Sequence, residues 1–411
     1  MGLLSGMRVV EGSAFVAAPS GGMTLAQLGA DVIRFDQIGG GLDIGRWPLT
    51  PDGHSIYWAG LNKGKRSVTV DLRSPAGREL LTALVTAPGP DAGLFLTNFP
   101  AKGWMAYDAL AAKRPDLVML NVLGNHDGTS ALDYTVNCAV GYPLVTGPAD
   151  HEGPVNHVLP AWDFICGQTA AVGLLAADRH RNRTGEGQLL TLALSDVAFA
   201  VVSAFGHVGE AQVLGTQRPR IGNDLYGAFG TDVATSDGRR VIAVAITDGQ
   251  WASLLAACGI SEEVAAIATR RGLDFKREGD RYEARDELNP LVAAWCAARP
   301  LAEVRRVFDE HGVCWGPYQD FLQMVAEDPR CSTANPLFEP IDQPGVGRIL
   351  AAGSPLRPTS LGADAVRPAP RLGEHTDEVL ADVLGLSSGE IGSLHDDGVV
   401  AGPDEQVRRT R

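Results

Sequence analysis

Arg8-Val9-Val10-Glu11, Met23-Thr24-Leu25-Ala26-Gln27-Leu28-Gly29 and Asp31-Val32-Ile33-Arg34-Phe35-Asp36 follow one another near the start of the chain. The first is a short apolar run closed by a Gly-rich turn, and the second has helical spacing with a glycine stop. The third alternates like a strand. The pattern then repeats, with a strand over 67–72, a helix over 75–86, a strand over 93–97, a helix over 107–112 and a strand over 118–122. Strands interleaved with helices of this length predict βαβ units and a mostly parallel sheet, so the fold class is α/β.

Farther on, 164–205 reads as two Ala-rich helical or buried segments split by the basic loop Arg179-His180-Arg181-Asn182-Arg183-Thr184-Gly185-Glu186-Gly187-Gln188. From about 223 the texture changes to a strand pair around Asp237-Gly238 and then amphipathic helices, which predicts a smaller domain over 223–328. The large domain then takes 1–222 and 329–411. Four prolines within 355–370 mark an extended connector, a last helix is expected over 376–384, and the charged end after Gly402 is expected to fray.

Composition narrows the function. Among 411 residues, 49 acidic against 35 basic give a formal net charge of −14, which argues against nucleic-acid and anionic-membrane partners. A small anionic ligand needs only a few local cations. The start carries no signal-peptide pattern, and the most apolar window, 189–205, contains Ser195, Asp196 and Ser203 and fits a buried helix better than a membrane span. Six cysteines without a Cys-x-x-Cys pair predict reduced thiols and a cytoplasmic address, and the His/Cys spacing offers no metal site.

Familiar motifs fail in instructive ways. Gly60-Leu61-Asn62-Lys63-Gly64-Lys65-Arg66-Ser67 lacks the first glycine and the closing Lys-Ser/Thr of a phosphate loop, leaving three cations that either hold phosphates by charge or form a solvated basic loop. Gly39-Gly40-Gly41 does not complete a dinucleotide fingerprint, and no Gly-x-Ser-x-Gly elbow exists. Asp163 is the odd residue: in Leu159-Pro160-Ala161-Trp162-Asp163-Phe164 it is a lone carboxylate among apolar neighbours at the start of an Ala-rich run. Position alone leaves two roles open, a helix N-cap or a partly desolvated nucleophile.

Seven stretches in order resemble the family III CoA-transferases. They are Gly6-Met7-Arg8-Val9-Val10-Glu11, Leu25-Ala26-Gln27-Leu28-Gly29-Ala30-Asp31-Val32-Ile33-Arg34, Asn62-Lys63-Gly64-Lys65-Arg66-Ser67-Val68-Thr69-Val70-Asp71-Leu72, Asn98-Phe99, Asp163, Arg183-Thr184-Gly185-Glu186-Gly187-Gln188 and Leu372-Gly373-Glu374-His375-Thr376-Asp377. Longer phrases, such as Val10 to Pro19 and Asn156-His157-Val158-Leu159-Pro160-Ala161-Trp162-Asp163, resemble a branch that moves CoA between the two carboxyl groups of mesaconate. The resemblance implies a Rossmann-like large domain with an inserted smaller α/β domain, and an interlocked homodimer. It implies that Asp163 is the nucleophile and that coenzyme A, as part of the substrate, is the sole cofactor. It places Val16 and Ala17 near the pantetheine, Leu72 and Arg73 near the adenosine end, and Asn98 and Phe99 as the next CoA contacts. A family arginine after the second strand is replaced by Gln37, leaving Arg46 or Arg34 to supply that charge. Tyr134, Asn156 and His157 are the candidates for the substrate's free carboxylate. The racemase branch has a histidine where this chain has Ser130, which disfavours α-proton exchange. Intermolecular CoA transfer and a non-catalytic CoA-binding role complete the alternatives.

Overall fold

The computed structural model describes residues 2–360 and 365–403. These fall into two compact units. The first takes the chain up to Val140, then His157–Val213 and the segment from Pro329 onward; the second takes Gly141–Asn156 and Leu214–Asp328.

Along the first half of the chain run β1 (Arg8–Gly12), α1 (Ala17–Gln27), β2 (Asp31–Gln37), α2 (Ile56–Leu61), β3 (Arg66–Val70), α3 (Pro75–Thr86), β4 (Leu94–Thr97), α4 (Tyr107–Ala111), β5 (Val118–Leu123), α5 (Asp133–Ala139), α6 (Tyr142–Val145, in the second unit), α7 (Ala161–Thr184), β6 (Gln188–Ala193) and α8 (Leu194–Ala204). Six strands lie parallel in the order β3-β2-β1-β4-β5-β6, and the C-terminal strand Val400–Ala401 adds antiparallel to β3. This is the Rossmann strand order, in which the chain reverses direction of winding between β1 and β4. β1 to β5 are buried along almost their whole length because helices cover both faces of a parallel sheet. Phe35 and Phe95 stack at 6.3 Å in the middle of this core. α3 begins where Ser74 accepts a hydrogen bond from the Gly77 N–H, with Pro75 at its first position.

Three expectations change. α1 starts at Ala17, six residues before the helical spacing that announced it, and takes in Pro19, Gly21 and Gly22. Those glycines, expected in turns, belong to a helix that must approach another backbone closely. The supposed basic loop after Arg179 is the last part of α7: Arg181 is buried, donates to the carbonyls of Ala92 and Gly93 and pairs with Asp178, and the helix stops at Gly185 with φ 78°. The apolar window 189–205 is a strand followed by a helix, β6 and α8, rather than one helix. Helices Pro75–Thr86 and Thr376–Leu384 form where the sequence places them, whereas the helix Ser388–Asp396 and strand Val400–Ala401 give no early signal. The tail expected to fray lies, from residue 404, outside the described residues.

In the second unit, β7 (Phe229–Ala234) and β8 (Arg240–Ala245) pair antiparallel across Asp237-Gly238, and β9 (Cys314–Pro317) adds antiparallel to β8. Helices over 248–311 cover this sheet around Phe229, Trp251 and Phe308. The Arg220 guanidinium ties 141–156 into this unit through the carbonyls of Pro143, Leu144, His151 and Gly153. Among the described residues no single helix is long and apolar enough to cross a membrane.

Candidate active site

In an open α/β sheet a ligand binds outside the carboxyl ends of the strands, where the winding reverses. Here that point lies between the ends of β1 and β4, and side chains bind it into a fixed shape. The Ala14 N–H donates to Asn98 Oδ1 (2.9 Å) and Asn98 Nδ2 donates back to the Ala14 carbonyl (2.7 Å). Asn98, expected as a CoA contact, therefore clamps the β1–α1 loop. Val16 and Ala17 cap and open α1, each 5% exposed. Phe99 packs edge-on against Phe35 at 6.4 Å. Leu72 and exposed Arg73 follow β3 at the same sheet edge; the Leu72 N–H donates to Gln37 Oε1 at 2.9 Å, so Gln37 joins the ends of β2 and β3.

Under the loop lies a buried ion network. Lys65 Nζ donates to Glu11 Oε1 (2.8 Å), the Pro19 carbonyl (2.9 Å) and Asn62 Oδ1 (3.0 Å). Arg34 binds Asp36 with two nitrogens (2.9 and 3.0 Å), Asp43 Oδ2 (3.0 Å), the Ser13 carbonyl (3.0 Å) and Asn62 Oδ1 (3.1 Å), with its guanidinium over Trp58. Burial pushes the Lys65 amine down to about 8 against the opposing pull of Glu11. Burial also works against the Arg34 charge, yet Asp36, Glu11 and Asp43 hold its pKa above the ordinary value. The basic loop is thus no phosphate cradle: Lys65 is internal, Arg66 pairs with Asp31 and Glu378, and Lys63 caps the Gly60 carbonyl. Arg34 is equally occupied and has no charge left for CoA. Gly22 fits this network for a steric reason, since a Cβ there would stand 1.7 Å from Glu11 Oε2.

The network delivers Asp43 to the loop above. Both Asp43 oxygens accept the Phe15 N–H, at 2.9 and 3.0 Å. Phe15 has φ 68°, the left-handed region a bulky side chain avoids, and it is the only such non-glycine among the described residues.

Asp163 is the third residue of α7, and α1 and α7 cross at bare backbone. A Cβ on Gly167 would stand 2.1 Å from Ser20 Oγ and 2.5 Å from the Ala17 carbonyl, and one on Gly21 2.7 Å from the Gly167 carbonyl. Asp163 lies one turn above Gly167 on the same helix face, so this crossing sets it beside the N-terminus of α1. Asp163 does not cap α7. Pro160 holds the N-cap position, and Asp133 of α5 does the capping, its Oδ2 accepting the Asp163 N–H at 3.1 Å and its carboxylate bonding the Trp162 backbone as well. Those two N–H groups are consequently spent and stabilise no oxyanion. The Asp163 carboxylate has no hydrogen bond or ion pair among the described residues. Burial pushes it up to about 7, the Asp133 carboxylate adds to the rise and Arg46 opposes it.

Arg46 follows β2 on an exposed segment, its guanidinium 5.5 Å from the Phe15 ring and 5.1 Å from the Tyr57 ring. Tyr134, half exposed on α5 beside Asp133, and Asp163 both act on Tyr57, whose buried hydroxyl is pushed up to about 12, chiefly by desolvation. His157 belongs to the same unit; its Nδ1 donates to the Leu159 carbonyl at 2.5 Å and its ring meets Trp162 edge-on. Asn156 is exposed and belongs to the second unit. The structure thus gathers Asp163, Asp133, Arg46, Tyr57 and Tyr134. Asp133 and Tyr57 escaped sequence reading because their roles are tertiary, and Phe15 because left-handed backbone is announced by glycine or asparagine. Among the described residues no group of three or more His, Cys, Asp or Glu is placed to hold a metal.

A Rossmann sheet whose loops approach an unpaired, desolvated carboxylate is an arrangement suited to acyl transfer. A sequence model of CoA-transferase family III matches residues 4–376, and the chain belongs to that family. It is 58% identical over 404 residues to the 2-methylfumaryl-CoA isomerase of Chloroflexus aurantiacus, covering 98% of this chain and 99% of that one. It is 30% identical over 408 residues to the succinyl-CoA:mesaconate CoA-transferase of Haloarcula hispanica, covering 95% and 98%. A solved CAIB/BAIF family protein from Brucella suis superposes with a TM-score of 0.76 at 26% identity, over 93% of this chain and 99% of that one.

Proposed function

We propose that the chain converts 2-methylfumaryl-CoA to 3-methylfumaryl-CoA by moving CoA between the two carboxyl groups of one mesaconate molecule. The observation that carries this reading is the unpaired Asp163 carboxylate beside α1, in a chain 58% identical to an isomerase of that name.

The carboxylate attacks the thioester carbonyl, the C–S bond breaks, and a mixed anhydride and CoA thiolate form. The thiolate attacks Cγ of Asp163, the anhydride C–O bond breaks, and mesaconate and an aspartyl-CoA thioester result. Mesaconate turns end for end and its other carboxylate attacks Cγ, expelling thiolate. The thiolate then takes the new acyl carbonyl and frees Asp163. No proton or redox equivalent is needed. Desolvation favours acylation because the anhydride and thioester replace a poorly solvated anion with neutral groups.

In this reading Val16, Ala17, Leu72, Arg73, Asn98 and Phe99 frame the CoA, with Arg73 toward its phosphates. Asn98 acts through the loop shape it holds, and Tyr134 and His157 border the acyl group. The small domain expected over 223–328 takes in 141–156 and 214–222 as well, the large domain of 1–222 and 329–411 giving them up, and the chain works as an interlocked homodimer. Six unpaired cysteines are in keeping with a cytoplasmic address.

Incubation with 2-methylfumaryl-CoA and 13C-labelled mesaconate tests the reading. Unlabelled 3-methylfumaryl-CoA supports it, together with an Asp163 hydroxamate when hydroxylamine is added. Label entering the CoA ester at the rate of isomerisation establishes intermolecular transfer instead, the reading that the Haloarcula relative favours.

A further inference from the structure

The mechanism leaves two donors near Asp163 without work. Among the described residues the Arg46 guanidinium makes no ion pair and no hydrogen bond; only its backbone is engaged, the N–H donating to the Asp43 carbonyl at 3.2 Å and the carbonyl accepting from Ser55 Oγ at 2.6 Å. The ring faces of Phe15 and Tyr57 hold it at 5.5 and 5.1 Å. Stacking engages the plane of a guanidinium and leaves the N–H donors at its edge, where a carboxylate binds with two oxygens. The Tyr57 hydroxyl is buried and has no partner. Arg34, only a few residues away in the fold, shows the contrast, since every face of it is occupied.

We propose that Arg46 and Tyr57 clamp the free carboxylate of the dicarboxylic acid while its other carboxyl group is exchanged at Asp163. The clamp rests on the proposed intramolecular transfer and gives that transfer its specificity for a dicarboxylate. The scaffold beneath it is built for position. Asp43 holds Phe15 in its left-handed backbone under Arg46. Ser55 caps the helix that carries Tyr57, accepting from the Trp58 N–H at 3.1 Å, and also donates to the Arg46 carbonyl. Arg46 and Tyr57 are thereby fixed to one another before a ligand arrives. Phe15, whose ring Arg46 covers, stands two residues before α1, the helix whose start lies beside Asp163, and this sets Arg46 and Tyr57 toward the acyl end of the substrate. A charged acceptor would satisfy the buried phenol and the open guanidinium together. The need is greatest at the aspartyl-CoA stage, when no covalent bond retains mesaconate.

The test uses the full chain, its Arg46→Gln, Arg46→Lys and Tyr57→Phe variants, and two thioesters. One is 2-methylfumaryl-CoA; the other is 2-methylcrotonyl-CoA of the same double-bond geometry, with a methyl group where the free carboxyl stands. The readout is the rate of hydroxylamine trapping at Asp163 from each. Arg46→Gln is expected to lower trapping from the dicarboxylic thioester about a hundredfold while changing the other less than about threefold. Tyr57→Phe is expected to cost about tenfold on the dicarboxylic thioester alone, and Arg46→Lys to fall between. Arg46→Gln should also release several times more free mesaconate per isomer formed. Equal losses on both thioesters, or no loss on either, overturn the clamp. A wild-type chain that traps from both thioesters but forms no second isomer overturns the proposed function, and the ratio of trapping rates still decides the clamp.

Discussion

Beneath the β1–α1 loop, Arg34 and Lys65 are enclosed by Glu11, Asp36 and Asp43, and each cation has carboxylate partners within 3.0 Å. At the head of α7, in the same unit, Asp163 has none, and a neighbouring carboxylate raises its pKa further. Opposite rules govern the two places. In the first, buried charge is neutralised, because breaking a buried pair exposes its full desolvation penalty. In the second, charge is left uncompensated, and in the proposed mechanism acylation of Asp163 relieves that cost. The sequence pattern leaves both places open: the basic turn reads as a phosphate holder or a solvated loop, and the aspartate as a cap or a nucleophile. A residue's availability depends on what folds against it, which local spacing does not encode.

The sharpest way to break this comparison is Asp163→Asn. Activity should fall by about ten-thousandfold or more, while stability at pH 8 should rise by roughly 1 kcal/mol. The folded pKa of about 7 exceeds the ordinary 3.8, so between these values the folded state holds the extra proton and wild-type stability declines as pH rises. Urea unfolding at pH 5 and pH 8 should therefore show a clearly larger advantage of the variant at pH 8 than at pH 5. A variant less stable than wild type at both values would place Asp163 among the structural charges.

Lys65→Met probes the other side. Leaving Glu11 without its ammonium should cost about 3–5 kcal/mol, and adding Glu11→Gln should recover a good part of that. Urea titrations of the single and double variants check it. If the single variant unfolds like wild type but no longer accepts substrate, Lys65 is a ligand group after all.

Much of the first unit was legible in the sequence. Short apolar runs such as Val9-Val10 and Leu94-Phe95-Leu96 and the alternation over 31–36 mark its central strands, and Ser74-Pro75 and Gly385 punctuate helices by known backbone chemistry. Asp163 stood out as a lone carboxylate in apolar company. The α1–α7 crossing was hidden, because Gly21 and Gly167 serve a close approach between segments far apart in sequence, and a helix interior is the place where glycine is least expected. That crossing is the third target. Gly167→Ala should cost about 2 kcal/mol by overpacking. It should also lower kcat by roughly ten- to a hundredfold, since Asp163 one turn above would move. Tm and steady-state rates measure both, and an unchanged kcat with a lowered Tm would separate the crossing from the chemistry.

The smallest effect is also the most diagnostic. Asp133→Asn keeps an oxygen that accepts the N–H groups at the start of α7, so the cap survives, but it removes the negative charge next to Asp163. Desolvation is the larger cause of the raised Asp163 pKa and stays in place, so the shift should be modest. The pH profile of kcat/KM, which reports the free enzyme, should fall tenfold per unit below about 7 in the wild type, as Asp163 takes up a proton. In Asp133→Asn that limb should move toward acid by about half a unit, because an aspartate without a like-charged neighbour ionises more easily. The plateau rate should drop slightly, since a better solvated carboxylate gains less on acylation. A limb that moves toward alkali would mean that Asp133 is protonated in the working enzyme and donates to Asp163, which would turn the unpaired carboxylate into a paired one.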